Sequence, residues 1–397
     1  MANTQTAAPQ SPTGGKNAPP PRPFPFPVGV YDPIIPDYDF IVTPAATVAT
    51  WTAPVQAPLW NLSPSGWLRG CWLDFLLTIT GGGTTATYTN DGPFGLVQKM
   101  TVYDLGGEVI IQLTGYEWMV VNKHGGYFEI NDPRADLTYS TANTGNVHMI
   151  LYVPFEVSAR DGLGTVQNES KPGWKLELYI DSAQNTYGTG AVLPTGTATI
   201  SLRIRGYMDA YTEPTGSAPG GRPFAQTPPL PGTLQYWKSE NSTLPSGAAK
   251  FDLSNGMGFP IRNAIYYARD AGNSTRATAD GNWPDPFQII IGNVNLLNSS
   301  KNLHISRISK YFGYAAVGTS IPAADTACGR ENAVFPYWRT SDLASHPGDE
   351  LRFKYIDTQV NSLFRFLGSF GASVTFYAVT NWLATPSKNR YALIAGA

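Results

Sequence analysis

The chain has 397 residues, more than the roughly 250 to 300 at which a single hydrophobic core stops growing, so two domains are expected. Hydrophobic residues make up 42% and charged residues only 14%, against about 25% charged in an ordinary soluble domain, which predicts a surface that associates with partners. The formal net charge of −2 excludes the basic field that holds nucleic acid by its phosphates.

Glycine and proline indicate the fold class. The 40 Gly and 33 Pro residues interrupt the chain too often for long helices, and the intervening segments are rich in Val, Ile, Thr, Tyr and Phe. This combination predicts an all-β protein. Residues 1–12 lack the basic and apolar regions of a Sec signal, and no apolar run approaches 18 residues, so we expect synthesis in a cytoplasm.

Residues 1–36 are predicted to form a Pro-rich N-terminal arm. Proline lacks the N–H that helices and sheets require, so this stretch favours polyproline II or disorder. Two interpretations stay open: a flexible tail, or an arm that orders against a neighbouring subunit or a membrane. The candidate contact residues of the arm are Lys16, Arg22, Phe24 and Phe26.

A second Pro/Gly/Ser-rich stretch, residues 213–231, has the composition of an interdomain linker. It divides the remaining chain into two nearly equal parts. We therefore expect a first domain over residues 37–212 and a second over residues 232–397.

The two parts contain similar landmarks, which predicts a duplicated domain. Val153-Pro154-Phe155 precedes alternating Leu176, Leu178 and Ile180, as Phe335-Pro336-Tyr337 precedes Leu351, Phe353 and Tyr355. Each part then closes with an alternating strand, and an earlier strand also recurs. These further pairs are 198–204 with 372–376, and 96–104 with 260–267. Many short strands with turn-rich connections predict two tandem eight-stranded jelly-roll β-sandwiches.

Nothing in the sequence predicts a catalytic, metal or cofactor site. Cys71 and Cys328 lie outside any CxxC or Cys/His cluster, so both are expected to be buried free thiols. The histidines match no metal motif and are expected on the surface or in loops: His124, His148, His304 and His346. Two carboxylate pairs could serve glycoside hydrolysis in one cleft, but solvated loops are the preferred interpretation: Asp37/Asp39 and Asp349/Glu350.

One hypothesis for the function is a carbohydrate-binding or receptor-binding β-sandwich of a virion, because the ten Trp residues could line a sugar-binding groove. Their scatter over both halves favours positions in the core and at subunit interfaces. A jelly-roll enzyme is a second hypothesis for the function.

Two segments resemble a known family. Residues 92–99, which lead to Tyr103-Asp104, and Tyr152-Val153-Pro154-Phe155, followed by Ser158 and Asp161, resemble the double jelly-roll major capsid proteins of tectiviruses. These are tailless bacteriophages with an internal membrane, and the adenovirus hexon shares the architecture.

The resemblance implies a structural protein and no enzyme activity. It implies a homotrimer with a pseudo-sixfold outline that tiles an icosahedral shell over a lipid membrane, with penton and minor capsid or membrane proteins as further partners. Direct contact with nucleic acid is not expected, and the location would be the virion, after synthesis in the host cytoplasm. In the family the N-terminal segment is often helical, whereas the Pro-rich arm here cannot form a long helix.

Overall fold

The computed structural model confirms the all-β prediction. It describes residues 33–81, 92–127, 133, 145–157, 163–168, 173–188, 191–194, 197–211, 233–270, 279, 281–312, 333–338, 355–360 and 363–384. Strands dominate these ranges, and the helices are short: Gly115–His124 (α1), Ala183–Tyr187 (α2) and Lys301–Phe312 (α3).

The first half of the chain folds as a sandwich of two antiparallel sheets. Its strands are Ile34–Val42 (β1), Val55–Gln56 (β2), Trp60–Asn61 (β3), Gly66–Thr80 (β4), Val97–Tyr103 (β5), Val109–Leu113 (β6), Gly145–Pro154 (β7), Val166–Asn168 (β8), Lys175–Ile180 (β9) and Thr199–Tyr211 (β10). One sheet has the order β1-β10-β4-β7, and the other has β2-β9-β5-β6, with β3 continuing β2 along β9. With β2 and β3 counted as one interrupted strand, and β8 as an accessory to β4, this is an eight-stranded jelly roll.

The second half repeats this order. Its strands are Leu234–Leu244 (β11), Gly247–Asp252 (β12), Pro260–Asp270 (β13), Phe287–Ile291 (β14), Val294–Ser299 (β15), Val334–Trp338 (β16), Ile356–Asp357 (β17), Phe364–Phe370 (β18) and Val374–Ala384 (β19). The sheets are β11-β19-β13-β16 and β12-β18-β14-β15, so each strand has a counterpart in the first sandwich. The accessory strands also correspond, because β8 pairs with the start of β4 and β17 with the start of β13. The tandem double jelly roll is therefore confirmed.

The strand order of the two sandwiches shows which of the predicted landmark pairs are correct and which are wrong. The two Pro-containing motifs lie on the equivalent strands β7 and β16, and the two closing strands are β10 and β19, as predicted. The pairing of 96–104 with 260–267 is wrong, because β5 corresponds to β14 while β13 corresponds to β4. The sheet order makes β18, and not residues 351–355, the counterpart of β9, which corrects the alignment of Leu176–Ile180 with that segment; residues 351–354 themselves lie outside the described residues, and Tyr355 lies just before β17. Every strand of a half-buried sheet alternates with period 2, so alternation alone does not identify which strand is which.

A parallel pairing joins the two sandwiches edge to edge. Trp237 and Lys238 of β11 pair with Ile111 and Gln112 of β6, which makes one ten-stranded sheet from a sheet of each sandwich. Because β6 and β11 run in the same direction, both sandwiches have the same orientation along the strands.

The chain enters and leaves both sandwiches at the same end of the molecule. β1 starts opposite the last residues of β10, at the pair Ile34 and Asp209, and β11 starts opposite the end of β19, at Leu234 and Ala384. We name this end the base and the opposite end the top. Residues 1–32, 212–232 and 385–397 therefore all leave the described structure at the base.

The predicted domain boundaries remain predictions, since most of the arm and all of the linker lie outside the described residues. One detail is visible: β1 already begins at Ile34, inside the stretch assigned to the arm.

The core of the second sandwich is an aromatic cluster around Trp283. Its ring stacks on Phe335 with centroids 3.9 Å apart and also contacts Phe366 and Phe376, at 5.5 and 5.6 Å. Burial of such large rings is the main source of stability in a sandwich core.

Gly206 of β10 fills a place where no side chain fits. A Cβ there would lie 2.7 Å from the Trp60 ring, and that ring is held by an N–H donated to Asp37, at 2.7 Å. We expect Gly206→Ala to lower the free energy of unfolding by about 1 to 3 kcal/mol, measured by urea titration. At Gly281 nothing lies within 4 Å of a built Cβ, so Gly281→Ala is the control. An equal loss in both variants would contradict the packing argument.

Candidate functional site at the seam between the sandwiches

No catalytic centre emerges from the described residues. In those ranges no group of three or more His, Cys, Asp or Glu side chains is placed to hold a metal ion. The helices that the structure describes are too short or too polar to cross a membrane. The predicted contact residues of the arm, Lys16, Arg22, Phe24 and Phe26, lie outside the described residues, as do Cys328, His346, Asp349 and Glu350. Cys71 is a fully buried free thiol, as predicted.

Asp37 and Asp39 are not loop residues, which corrects the prediction, because both lie on β1. Asp37 accepts hydrogen bonds from the Trp60 indole, at 2.7 Å, and the Ser63 N–H, at 3.0 Å. Asp39 accepts a bidentate pair from Arg203, which lowers the pKa of the Asp39 carboxyl. Both carboxylates therefore connect strands and loops of the sandwich.

Two histidines also depart from prediction, since His124 and His304 are buried in α1 and α3, at 1% and 2% exposure. The His304 Nε2–H donates a hydrogen bond to the Pro336 carbonyl at 3.0 Å, and desolvation lowers the pKa of His304 to about 4. Desolvation likewise moves the pKa of His124 well below its usual value. His148 on β7 is partly exposed, as predicted, and contacts Asp74, which also pairs with Arg205 at 2.7 Å.

The Trp residues lie mainly in the core, which confirms the preferred interpretation. Eight are buried to 6% exposure or less: Trp51, Trp60, Trp67, Trp118, Trp174, Trp237, Trp283 and Trp382. A sugar-binding groove needs exposed aromatic faces, so these residues cannot line one.

The structure instead places a buried polar network where the sandwiches meet, which we name the seam. From the first sandwich it takes α1, which begins with a capping box: the Glu117 N–H donates to the Thr114 hydroxyl, and the Thr114 N–H donates to the Glu117 carboxylate. This cap fixes where the helix starts and therefore where its other end meets the second sandwich.

Gln235 of β11 is the centre of the seam and is 1% exposed. Its Nε2 donates to the backbone carbonyl of Phe155, at 2.9 Å, in the first sandwich. Its Oε1 accepts from the Tyr127 hydroxyl at 2.9 Å, the Trp237 indole at 3.0 Å and the Asn381 amide at 3.2 Å. One amide thus binds groups from both sandwiches.

Arg262 of β13 extends the seam and is 1% exposed. It donates to the carbonyl of Gly125, just after α1, at 2.9 Å and to the Asn381 side chain at 3.2 Å, and it lies over the Tyr127 ring. Only glycine fits at this position, since a Cβ on residue 125 would clash with the Val121 carbonyl and would lie 3.1 Å from the Trp237 ring. A cation buried in this way destabilises the fold unless its donors are all satisfied, so the seam specifies one arrangement.

The N-terminal end of α1 supplies a third contact with the second sandwich. The Tyr267 hydroxyl of β13 donates to Glu117 at 3.0 Å, so the residue that caps α1 also binds the second sandwich. Arg269 lies over the rings of Tyr116, Tyr267 and Tyr377 at 5.3 to 5.7 Å. The two sandwiches are therefore held as one unit by buried polar groups as well as by strand pairing.

Sequence reasoning missed this seam. Its contacts between the two sandwiches join residues 80 to 150 positions apart, but a signal was present, because polar residues interrupt apolar stretches of the strands. These are Gln235 in β11, Arg262 and Asn263 in β13, and Asn381 in β19.

Comparisons with known proteins agree with the fold. No family model matches the sequence, and no curated protein sequence matches it. Among solved structures, the chain is similar to the major capsid protein of STIV, with a TM-score of 0.55 and 12% identity over 93% of this chain and 99% of that one. It is also similar to a chain from the atomic structure of Sulfolobus Turreted Icosahedral Virus, with a TM-score of 0.55 and 11% identity, covering 92% and 93%. A third similar structure is the PBCV-1 virus capsid, with a TM-score of 0.54 and 12% identity, covering 91% and 96%. At such identities the likeness establishes a shared double jelly-roll fold.

Replacement of Gln235 tests the seam. Gln235→Leu leaves the Tyr127 hydroxyl and the Trp237 indole without this acceptor, and a buried unsatisfied group costs about 1 to 3 kcal/mol, so we expect the free energy of unfolding to fall by at least about 2 kcal/mol. The control is Gln56→Leu, which removes one exposed hydrogen bond to Glu177 and should change stability by less than about 0.5 kcal/mol. Equal urea midpoints for the two variants would show that the seam network adds no stability.

Acid should destabilise the fold through His304. The pKa of His304 is near 6.5 in the unfolded chain and about 4 in the folded chain. The free energy of unfolding therefore falls as the pH drops from about 6.5 to 4, by about 3 kcal/mol from this residue. Below pH 4 His304 causes no further loss. His304→Gln keeps an N–H for the Pro336 carbonyl and should lose that part of the pH dependence. His124 is present in both proteins, so unfolding curves at pH 7, 5 and 4 isolate His304. Parallel losses in the two proteins would contradict the assignment.

Proposed function

We propose that the protein is a structural major capsid protein whose activity is self-assembly into an icosahedral virion shell. The observation that carries this proposal is the double jelly roll shared over more than 90% of this chain and of each capsid chain compared above. We propose no catalytic role, since the ionisable groups of the described core support strand, helix and seam contacts.

The repeated strand order gives the assembly its geometry. Two equivalent sandwiches per chain give six in a trimer, which approximates a hexagonal block that tiles a flat facet with one kind of subunit. The seam supports this function, because a pair of sandwiches that moved against each other would not keep the hexagonal outline. We therefore propose a homotrimer as the building unit, with neighbouring trimers, penton and minor capsid proteins as partners.

We further propose that the base faces an internal membrane. Both the Pro-rich arm, with Lys16, Arg22, Phe24 and Phe26, and residues 385–397 join the described structure at the base. Contact with nucleic acid is not part of the proposal, because the chain lacks the positive charge that phosphate binding needs. We also propose that the protein is synthesised in the host cytoplasm.

The mass in solution tests the proposal. We expect the purified protein to have three times the 42.9 kDa chain mass by light scattering, and to show blocks of hexagonal outline by electron microscopy. An interface of this permanent kind buries more than about 2,000 Å², so the trimer should persist on dilution. A monomer with measurable sugar affinity would favour the glycan-binding alternative, and a monomer without it would also overturn the proposal.

A further inference from the structure

Matching bulges allow the two sandwiches to be aligned residue by residue. The pairing of β10 with β4 skips one residue of β4, Arg69, and the pairing of β19 with β13 skips one residue of β13, Arg262. A bulge is a fixed feature of its strand, so the two arginines occupy equivalent positions. Arg262 belongs to the seam and donates to the first sandwich, whereas Arg69 pairs with Glu156 and Asp209 of its own sandwich.

The alignment extends to the first strand of each sandwich. Beside the bulge, Asp209 of β10 pairs with Ile34 of β1, and its counterpart in β19, Asn381, pairs with Trp237 of β11. Ile34 is therefore the counterpart of Trp237. Trp237 pairs with Ile111 of β6 where the sandwiches join and is 0% exposed, whereas Ile34 is 60% exposed.

Strand β15 of the second sandwich is the counterpart of β6. Each of the two strands has a bulge, at Ile110 in β6 and at Leu296 in β15, so Leu297 corresponds to Ile111. Among the described strands, β1 and β15 each lie at the end of a sheet, so one edge of each has no strand partner. Such an edge presents backbone N–H and C=O groups for pairing with another chain.

Helix α3 repeats α1 but is not covered in the same way. The Leu303 N–H donates to the Ser300 hydroxyl, as the Glu117 N–H donates to the Thr114 hydroxyl, each at 3.3 Å, so Leu303 corresponds to Glu117. Glu117 is 3% exposed because the second sandwich covers it, whereas Leu303 is 56% exposed. Thus β1, β15 and α3 are exposed at the positions where their counterparts β11, β6 and α1 meet.

The first sandwich has a suitable surface for α3. Helix α1 lies against β13, and the counterpart of that surface is the outer face of β4. This face carries the partly buried side chains of Trp72 and Leu76. The Asp74 carboxylate between them is paired with Arg205 at 2.7 Å, so its charge is compensated. An apolar side chain such as Leu303 can therefore pack there.

We infer that β15 of one copy pairs in parallel with β1 of the next copy, with Leu297 beside Ile34, while α3 packs on the outer face of β4. This contact repeats between copies the joint that β6 and β11 make within the chain. The inference rests on the proposed function, which closes three copies into a ring, and it names the surfaces that join them. A contact between two different edges is head-to-tail, as a ring requires. Joints within and between chains then alternate around six sandwiches.

Disulfide cross-linking of the purified full-length protein tests the predicted register. The test variant is Ile34→Cys with Leu297→Cys. Its matched control is Ile34→Cys with Val294→Cys, whose second site is 60% exposed but lies three residues along β15, about 10 Å from the predicted partner. The single-cysteine variants measure any cross-linking through Cys71 or Cys328. Light scattering under reducing conditions gives the mass of each protein before oxidation.

We expect the test variant to form covalent dimers and trimers at least about tenfold faster than the control on a nonreducing gel, because a disulfide needs Cα atoms within about 7 Å. The adjacent predicted pair, Ile35→Cys with Asn298→Cys, should cross-link as well, and it replaces the first pair if Leu297→Cys changes the mass in reducing solution.

Three results would overturn the inference while a trimeric wild type leaves the proposed function intact. These are equal rates in the test variant and the control, no cross-linking of either predicted pair, and cross-linking of the Ile34→Cys single variant that matches the test variant. The last result would indicate a symmetric contact between two β1 strands. A wild type that is not trimeric would instead contradict the proposed function.

Discussion

The amide of Gln235 and the strand pairing beside it determine how the whole molecule is put together. A jelly roll closes its own core, so two of them in one chain are free to rotate unless something joins them. Here β11 continues the sheet of the first sandwich, and Gln235 satisfies donors and acceptors on both sides of the joint. Because these groups are buried, a relative rotation would leave them unpaired, and unpaired buried polar groups are costly. The pair of sandwiches is therefore held as one rigid part.

Helix α1 connects this constraint to the first sandwich. Glu117 takes part in the capping box at its start and accepts a hydrogen bond from Tyr267, while Gly125 at its end accepts from Arg262. The equivalent helix of the second sandwich, α3, has another role: it buries His304 against Phe287 and Phe335, and so covers its own sandwich. The duplicated element has thus been used once to join sandwiches and once to close a core.

Much of the fold could be predicted from the sequence, because composition, strand alternation and a repeated Pro-containing motif all depend on local chemistry. The motifs at Pro154 and Pro336 lie on equivalent strands, and the two predicted closing strands are also equivalent to each other. Strand identity is harder to predict: the similarity of residues 96–104 to residues 260–267 suggests that β5 corresponds to β13, whereas the sheet order makes β4 the counterpart of β13 and β14 the counterpart of β5. The seam was not predicted because it depends on contacts between residues 80 to 150 positions apart. Single polar residues such as Arg262, inside an apolar strand, were its only trace.

The arrangement of the chain's entry and exit points affects how such a protein can diversify. Both outer segments and the connection between the sandwiches join the described structure at the base, so among the described strands each connection at the top joins two strands of the same sandwich, for example β4 to β5 and β13 to β14. Sequence inserted into those links lengthens a surface loop without shifting the seam, and loop lengthening has a small entropic cost. New recognition elements or whole inserted domains can therefore accumulate at that end while the contacts between the sandwiches stay unchanged.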